Sequence, residues 1–217
     1  RAAIEANKTN GVINQYDREV EFANELFAPI FEAYYKQPII ELAKDTEALK
    51  IGQRLYSQNC SQCHGSDARG QRGFPNLTDD DWLYGGSPEK ITETLINGRK
   101  AMMPAQLVAH GEDGIEELVA YVLSLSNRSD LKQTMVDAGQ ARFTVCAACH
   151  GQDGKGNQLI GAPNLTDQIW LYGGTDKSIT ETLRYGRNGV MPAFKKTLGE
   201  KKIHLVSAYV YSLSQDK

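Results

Sequence analysis

The apolar positions of this chain fall at helical spacing, and the same stripes occur twice. Ile115, Leu118, Val119, Val122 and Leu125 mark one face of a helix predicted from about Gly114 to Leu125. Ile203, Val206, Val210 and Leu213 mark its counterpart near the end of the chain. Ala48 to Asn59 also reads as a helix. Ser87 is placed to cap a further helix that starts on Pro88 and stops at Gly98; Thr175 and Gly186 take these places in the second copy. The closing helices are expected to pack on the upstream ones. Gly52 beside Tyr56, and Gly139 beside Phe143, leave room for two helices to meet around an aromatic ring, with Tyr121 and Tyr209 as the opposing rings. The fold class read from this pattern is all-α.

The second half repeats the first. Asn76-Leu77-Thr78-Asp79 returns as Asn164-Leu165-Thr166-Asp167, an offset of 88 that also carries Trp82-Leu83-Tyr84 onto Trp170-Leu171-Tyr172 and Met103-Pro104 onto Met191-Pro192. Two copies are too few for a solenoid, so two tandem globular domains are expected, 46–128 and 129–217, with Asn127 to Asp137 as the linker. Residues 1–45 differ. They place Val20, Phe22, Leu26, Phe27, Ile30, Phe31 and Tyr34 among charges, with Pro29 and Pro38 expected to interrupt any helix. Two readings stand here: an amphipathic segment folded on the first domain, or a helical stalk from a membrane anchor.

Composition narrows the class. Hydrophobic residues make up 41% and the net charge is −3, which excludes the basic signature of a nucleic-acid binder. No run of about 18 apolar residues occurs, so no segment of this sequence reads as a membrane span. No signal peptide is visible, and a chain that opens on Arg1 is expected to be a processed or truncated product.

The chemistry lies in Cys60-Ser61-Gln62-Cys63-His64 and Cys146-Ala147-Ala148-Cys149-His150, which use all four cysteines. Thiols at i and i+3 share one face of a helical turn and can bond the two vinyl groups of one porphyrin, while the next His faces the iron. This is the attachment pattern of a covalent c-type haem. A zinc site would gather four ligands into one set and leaves the His after each pair unexplained. Two haems c are therefore expected. Such proteins mature outside the bacterial cytoplasm, which points to the periplasm.

Each iron needs a ligand opposite its His. Met103 and Met191 occupy equivalent positions after a Gly-Arg pair, in what reads as a loop, and are the candidates. Met102 neighbours the first and has Val190 as its counterpart. His110 and His204 are not equivalent to each other and read as ordinary histidines. Exchange of the axial Met between domains stays open. Pro75 and Pro163 are placed to accept the His Nδ1 proton through their carbonyls. Arg99 and Arg187 are candidate partners of haem propionates, and the Trp82 and Trp170 indoles are candidates for the same role or for core packing. Two filled axial positions favour electron transfer over chemistry at the irons.

Charge is uneven along the sequence. Residues 46–130 carry a net −4 and residues 131–217 a net +4. The expectation is that the first domain steers a basic electron donor while the second faces an acidic surface.

The longer strings Gly73-Phe74-Pro75-Asn76-Leu77-Thr78-Asp79-Asp80-Asp81-Trp82, Leu183-Arg184-Tyr185-Gly186-Arg187-Asn188-Gly189 and Pro38-Ile39-Ile40-Glu41-Leu42-Ala43-Lys44-Asp45 resemble the dihaem subunit of cbb3-type cytochrome c oxidases over nearly the whole chain. The resemblance implies two tandem class I cytochrome c domains with His64 paired to Met103 and His150 to Met191. It implies electron passage from a donor cytochrome c toward the other haem subunits of the oxidase. It also implies N-terminal anchoring at the periplasmic face of the inner membrane, with this chain as the part outside the bilayer. A stand-alone soluble dihaem shuttle is the alternative, and a dihaem peroxidase, which needs an open iron, the third reading. No catalytic site is expected in this chain alone.

Overall fold

In a computed structural model, residues 15–215 are described, without the side chains of Tyr16, Asp17, Val20, Ala23 and Asn24; residues 1–14 and 216–217 lie outside the described residues. The described chain is mostly helical. Helix α1 spans Gln15–Tyr35, α2 Ile39–Leu42, α3 Thr46–Asn59, α4 Ser61–His64 and α5 Pro88–Asn97. Strand β1 (Arg99–Met103) and helix α6 (Leu107–Leu125) follow. The second copy supplies α7 (Gln133–Arg142), α8 (Ala147–His150), α9 (Asp176–Tyr185), β2 (Arg187–Met191), α10 (Lys195–Leu198) and α11 (Glu200–Ser212).

Local chemistry sets the helix ends. Asp45 caps α3 by accepting from the Glu47 and Ala48 amides at 2.8 and 2.9 Å. Ser87 and Thr175 cap α5 and α9, and Gly98 and Gly186, at φ of 69° and 71°, end them. Gly111 breaks α6 near its start with a φ of 68°, so the long apolar stripe runs along its later part. Helix α1 continues through Pro29, against expectation. Phe31 and Tyr34 beyond that proline pack against a cluster of Leu42, Ala48, Leu205 and Ala208, which holds the helix on course. The interdomain connector is shorter than the sequence suggested, because α7 already begins at Gln133.

The main departure from the sequence reading is an exchange. Helix α11 packs on α3 and α5 of the first copy, and α6 packs on α7 and α9 of the second. The two methionine segments, expected as loops in an all-α fold, are strands that pair antiparallel with Arg99 opposite Met191 and Met103 opposite Arg187. This ribbon carries each chain segment over to the other copy. The Gln106 amide then donates to the Leu183 carbonyl at 2.7 Å, and the Phe194 amide donates to the Leu95 carbonyl at 2.8 Å. Each bond seats the following helix on the opposite copy. The packed units therefore do not follow the boundaries 46–128 and 129–217.

Burial holds the exchange in place. Ile203, Leu205 and Val206 of α11 are fully buried, as are Ile115 and Leu118 of α6. Each such side chain stabilises its packed position by about 1.5–3 kcal/mol. Gly52 makes the α3–α11 approach possible: a Cβ there would lie 2.6 Å from the Leu205 carbonyl oxygen. Gly139 does the same for α7 against the Glu117 carbonyl of α6. The aromatic pairs are Tyr56 with Tyr209, ring centres 5.5 Å apart, and Phe143 with Tyr121 at 5.0 Å.

Candidate haem sites

Each Cys-x-x-Cys-His motif forms a single helical turn, α4 or α8, that follows a longer helix. His64 and His150 are buried, 8% and 7% exposed. Their Nδ1–H groups donate to the carbonyls of Pro75 and Pro163 at 3.0 and 3.1 Å. This fixes each ring and leaves Nε2 with its lone pair for a metal. Burial holds His150 below the ordinary histidine range, and the Pro163 bond opposes that only in part. The neutral ligating form is thus favoured. Burial, helped by the neighbouring Cys63, pushes the Cys60 thiol up to about 11, while Cys63 and Cys149 are exposed.

The ribbon supplies the opposite walls. Arg99, Ala101 and Met103 alternate inward along β1 while Lys100 and Met102 point out, Met102 with 78% exposure. Arg187, Gly189 and Met191 alternate inward on β2. Met191 packs against the cluster of Tyr56, Cys60, Ile91, Leu95, Val206 and Val210, and so does Trp82. Met103 packs against Phe143, Ala147, Leu165, Ile179 and Leu183 with Ile115 and Leu118, as does Trp170. The structure thus brings Met191 to the core of the His64 unit and Met103 to the core of the His150 unit.

The arginines sit at the unit junction. Arg99 donates through Nε to Thr94 at 2.8 Å and through Nη1 to Glu93 at 2.9 Å, and lies 4.6 Å above the Tyr84 ring. Arg187 repeats this with Thr182, Glu181 and the Tyr172 ring. Salt links and hydrogen bonds hold both glutamates below the ordinary carboxylate range, Glu93 through Lys90 first and Glu181 through Arg187 first. In both arginines Nη2 is buried without a partner among the described residues, as is the Tyr84 hydroxyl. Buried donors of this kind are costly unless an acceptor meets them. Two pairs of thiols, two oriented imidazoles, two inward thioethers and these free donors fit two haems with carboxylate side chains at the junction.

Tyr84, Tyr172, Glu93 and Glu181 were missed as site residues in the sequence, although they recur at the offset of 88. Repetition alone could have found them, since it marks what both copies need. His204 is an ordinary histidine, with Nε2–H donating to the Gln37 carbonyl at 2.8 Å and its ring edge on Tyr35. The exchange also reverses the charge picture in space. Residues 46–103 with 192–215 carry a net +3, and residues 104–191 a net −3.

The chain matches the family described as cytochrome c oxidase, cbb3-type, subunit III over residues 47–122 and again over 134–210. It is 46% identical over 202 residues to the cbb3-type cytochrome c oxidase subunit CcoP of Rubrivivax gelatinosus, covering 93% of this chain and 66% of that protein. It is 39% identical over 224 residues to the subunit FixP of Bradyrhizobium sp. (strain ORS 278), covering 95% of this chain and 77% of the relative. The CcoP subunit of Cereibacter sphaeroides is 37% identical over 225 residues, covering 94% and 78%. The chain thus spans about two thirds of the first relative and over three quarters of the other two.

Proposed function

The chain belongs to the cbb3-type cytochrome c oxidase subunit III family, and from that premise we propose that it is the dihaem electron-transfer part of such an oxidase, passing electrons from a donor cytochrome c toward the other haem subunits. The carrying observation is a pair of oriented histidines on the turns α4 and α8, with one paired ribbon sending a methionine into the core of each unit. Each bound haem supplies a one-electron Fe(III)/Fe(II) couple. Cys60, Cys63 and His64 would hold the first, with Met191 as its second protein ligand. Cys146, Cys149 and His150 would hold the second, with Met103. This crosses the His64–Met103 and His150–Met191 pairs implied by the family resemblance, because each methionine packs in the other copy's core. Pro75 and Pro163 keep the imidazoles oriented. Arg99, with Tyr84 beside it, and Arg187 would supply donors to the propionates, while Trp82 and Trp170 would help wall the haem pockets.

The units themselves are tandem class I cytochrome c domains with exchanged closing helices. Residues 1–45, of which 1–14 lie outside the described residues, lead from an N-terminal membrane anchor at the periplasmic face. Supporting this, α1 is about 30 Å long, rests on α11 through Phe31 and Tyr34, and leaves Phe22 and Leu26 68% and 55% exposed farther back. No described helix is long and apolar enough to cross a membrane.

The test is ligand access and electron flow in the haem-loaded chain. Both haems should accept electrons from a reduced cytochrome c, and the reduced protein should keep its spectrum under carbon monoxide. Rapid carbon monoxide binding at either iron would favour the peroxidase-type reading instead.

A further inference from the structure

The two haem attachment sites differ sharply in what they show to solvent. Around the second motif, Val145 is 68% exposed and Ala148 and Cys149 also face solvent. The equivalent positions of the first copy are Asn59, Gln62 and Cys63. The loops that follow differ further. In the first copy Gln71 bridges to Phe74 across Arg72-Gly73; in the second Asn157 bridges to Ala162 across Gln158-Leu159-Ile160-Gly161. The second loop is thus two residues longer, and its tip carries Leu159 at 86% and Ile160 at 48% exposure. The first copy has Arg72 there, tied to the Tyr172 carbonyl and Glu181, with the half-exposed Phe74 behind it.

The long loop is held firmly. The Gly156 amide donates to the His150 carbonyl at 2.8 Å, the Leu159 amide to Asn157 Oδ1 at 3.0 Å, and Gln158 Nε2 to the Trp82 carbonyl at 2.9 Å. Two aliphatic side chains are therefore presented in water on a fixed loop bonded to the backbone of the haem-ligating His. Exposed apolar residues grouped on a fixed surface mark an interaction site. The surrounding unit, residues 104–191, is net −3, and the nearby Lys155 is answered by Asp153 at 3.8 Å.

We infer that the Cys149 turn and the Leu159–Ile160 tip form the docking surface for the electron donor, and that this donor is a basic carrier with an apolar haem edge. The inference rests on the electron-transfer reading above. A net acidic unit that carries an exposed apolar tip fits such a partner: charge speeds encounter, and the aliphatic contact would bring the two haem edges together. It also gives the second haem, not the first, as the entry point.

The test is stopped-flow reduction of the haem-loaded chain by a lysine-rich mitochondrial cytochrome c. For Leu159→Ser with Ile160→Ser, the second-order rate constant should fall about tenfold, the loss expected for truncating a central apolar contact. Reduction by dithionite and both haem potentials should stay unchanged, which shows the variant is folded. Gln71→Ser on the first copy should leave the carrier rate unaltered. The parent rate should fall with rising salt, as expected when the Debye length shortens from about 10 Å. A parental rate retained in the double variant, or an equal loss in Gln71→Ser, would overturn the site. A carrier that reduces neither parent nor variant at low salt would instead overturn the electron-transfer reading beneath it.

Discussion

Arg99 and Met191 stand directly opposite each other in the β1–β2 ribbon, although 92 residues separate them in sequence. The guanidinium comes from the copy that carries Cys60 and His64; the thioether comes from the other. Both turn inward on the same unit. Met103 and Arg187 form the mirror pair.

This pairing predicts which substitutions act on the same haem. Met191→His should lower one of two midpoint potentials, because imidazole in place of thioether disfavours Fe(II), by part of the roughly 0.8 V range that axial ligands span. Arg99→Gln removes a positive charge near the same iron and should lower the same wave by less. Met103→His and Arg187→Gln should act together on the other wave. A spectroelectrochemical titration in which Arg99→Gln shifts with Met103→His would remove the crossed ligation.

The close helix approaches predict a steric effect. Gly52→Ala and Gly139→Ala each push a methyl into a carbonyl of the exchanged helix. Overpacking of this kind costs about 1–3 kcal/mol, which lowers the melting temperature by several degrees at this chain length. Gly111→Ala meets nothing within 4 Å, so its effect should come from its positive φ alone. Calorimetry of the three variants separates crowding from backbone strain.

Acid should loosen the ribbon. Glu93 and Glu181 titrate below their ordinary value because of their Lys90, Arg99, Arg187 and Arg72 partners. A carboxylate depressed in the folded state contributes stability that is fully present above its unfolded pKa, about 4.3, and is lost as pH falls through the folded value. Melting temperature should therefore drop below about pH 4.5. In Glu93→Gln with Glu181→Gln that acid drop should be shallower than in the parent; identical pH profiles would show that the pairs add nothing.

A cut between the copies should not separate them. With a protease site at Ser129 in the connector, the two fragments should still elute as one species, since α6 and α11 stay packed on opposite fragments. Each fragment expressed alone should lack a cooperative melt. Two independently folded fragments would contradict the exchange.

Much of this was legible in the chain. The haem motifs, the Ser87 and Thr175 caps and the stripes from Ile115 and Ile203 follow from local spacing, and the structure keeps them. Three things were not legible, each for a physical reason. Pro29 sits inside a helix because tertiary packing of Phe31 and Tyr34 outweighs a local penalty. The strands at Arg99 and Arg187 are only five residues each and gain stability from pairing with one another, which single-copy propensity does not see. The exchange itself is hidden by the repeat: Ile203-Val206-Val210 and Ile115-Leu118-Val122 offer nearly the same surface, so sequence cannot say which upstream helix each will choose. The charge assignment then reversed, because Lys195, Lys196, Lys201 and Lys202 travel with α10 and α11 to the first unit.

The meeting of Gly52 with Leu205 joins residues 153 positions apart. Ribosomal synthesis runs from the N-terminus, so α3, which leads into the first thiol pair, waits for its covering helix until the whole second copy as far as α11 has emerged. The second unit's α6 is made before the helix it covers, and its core can close as soon as α9 is complete. The copy translated first is the one finished last, and its Cys60–Cys63 turn stays uncovered longest during maturation.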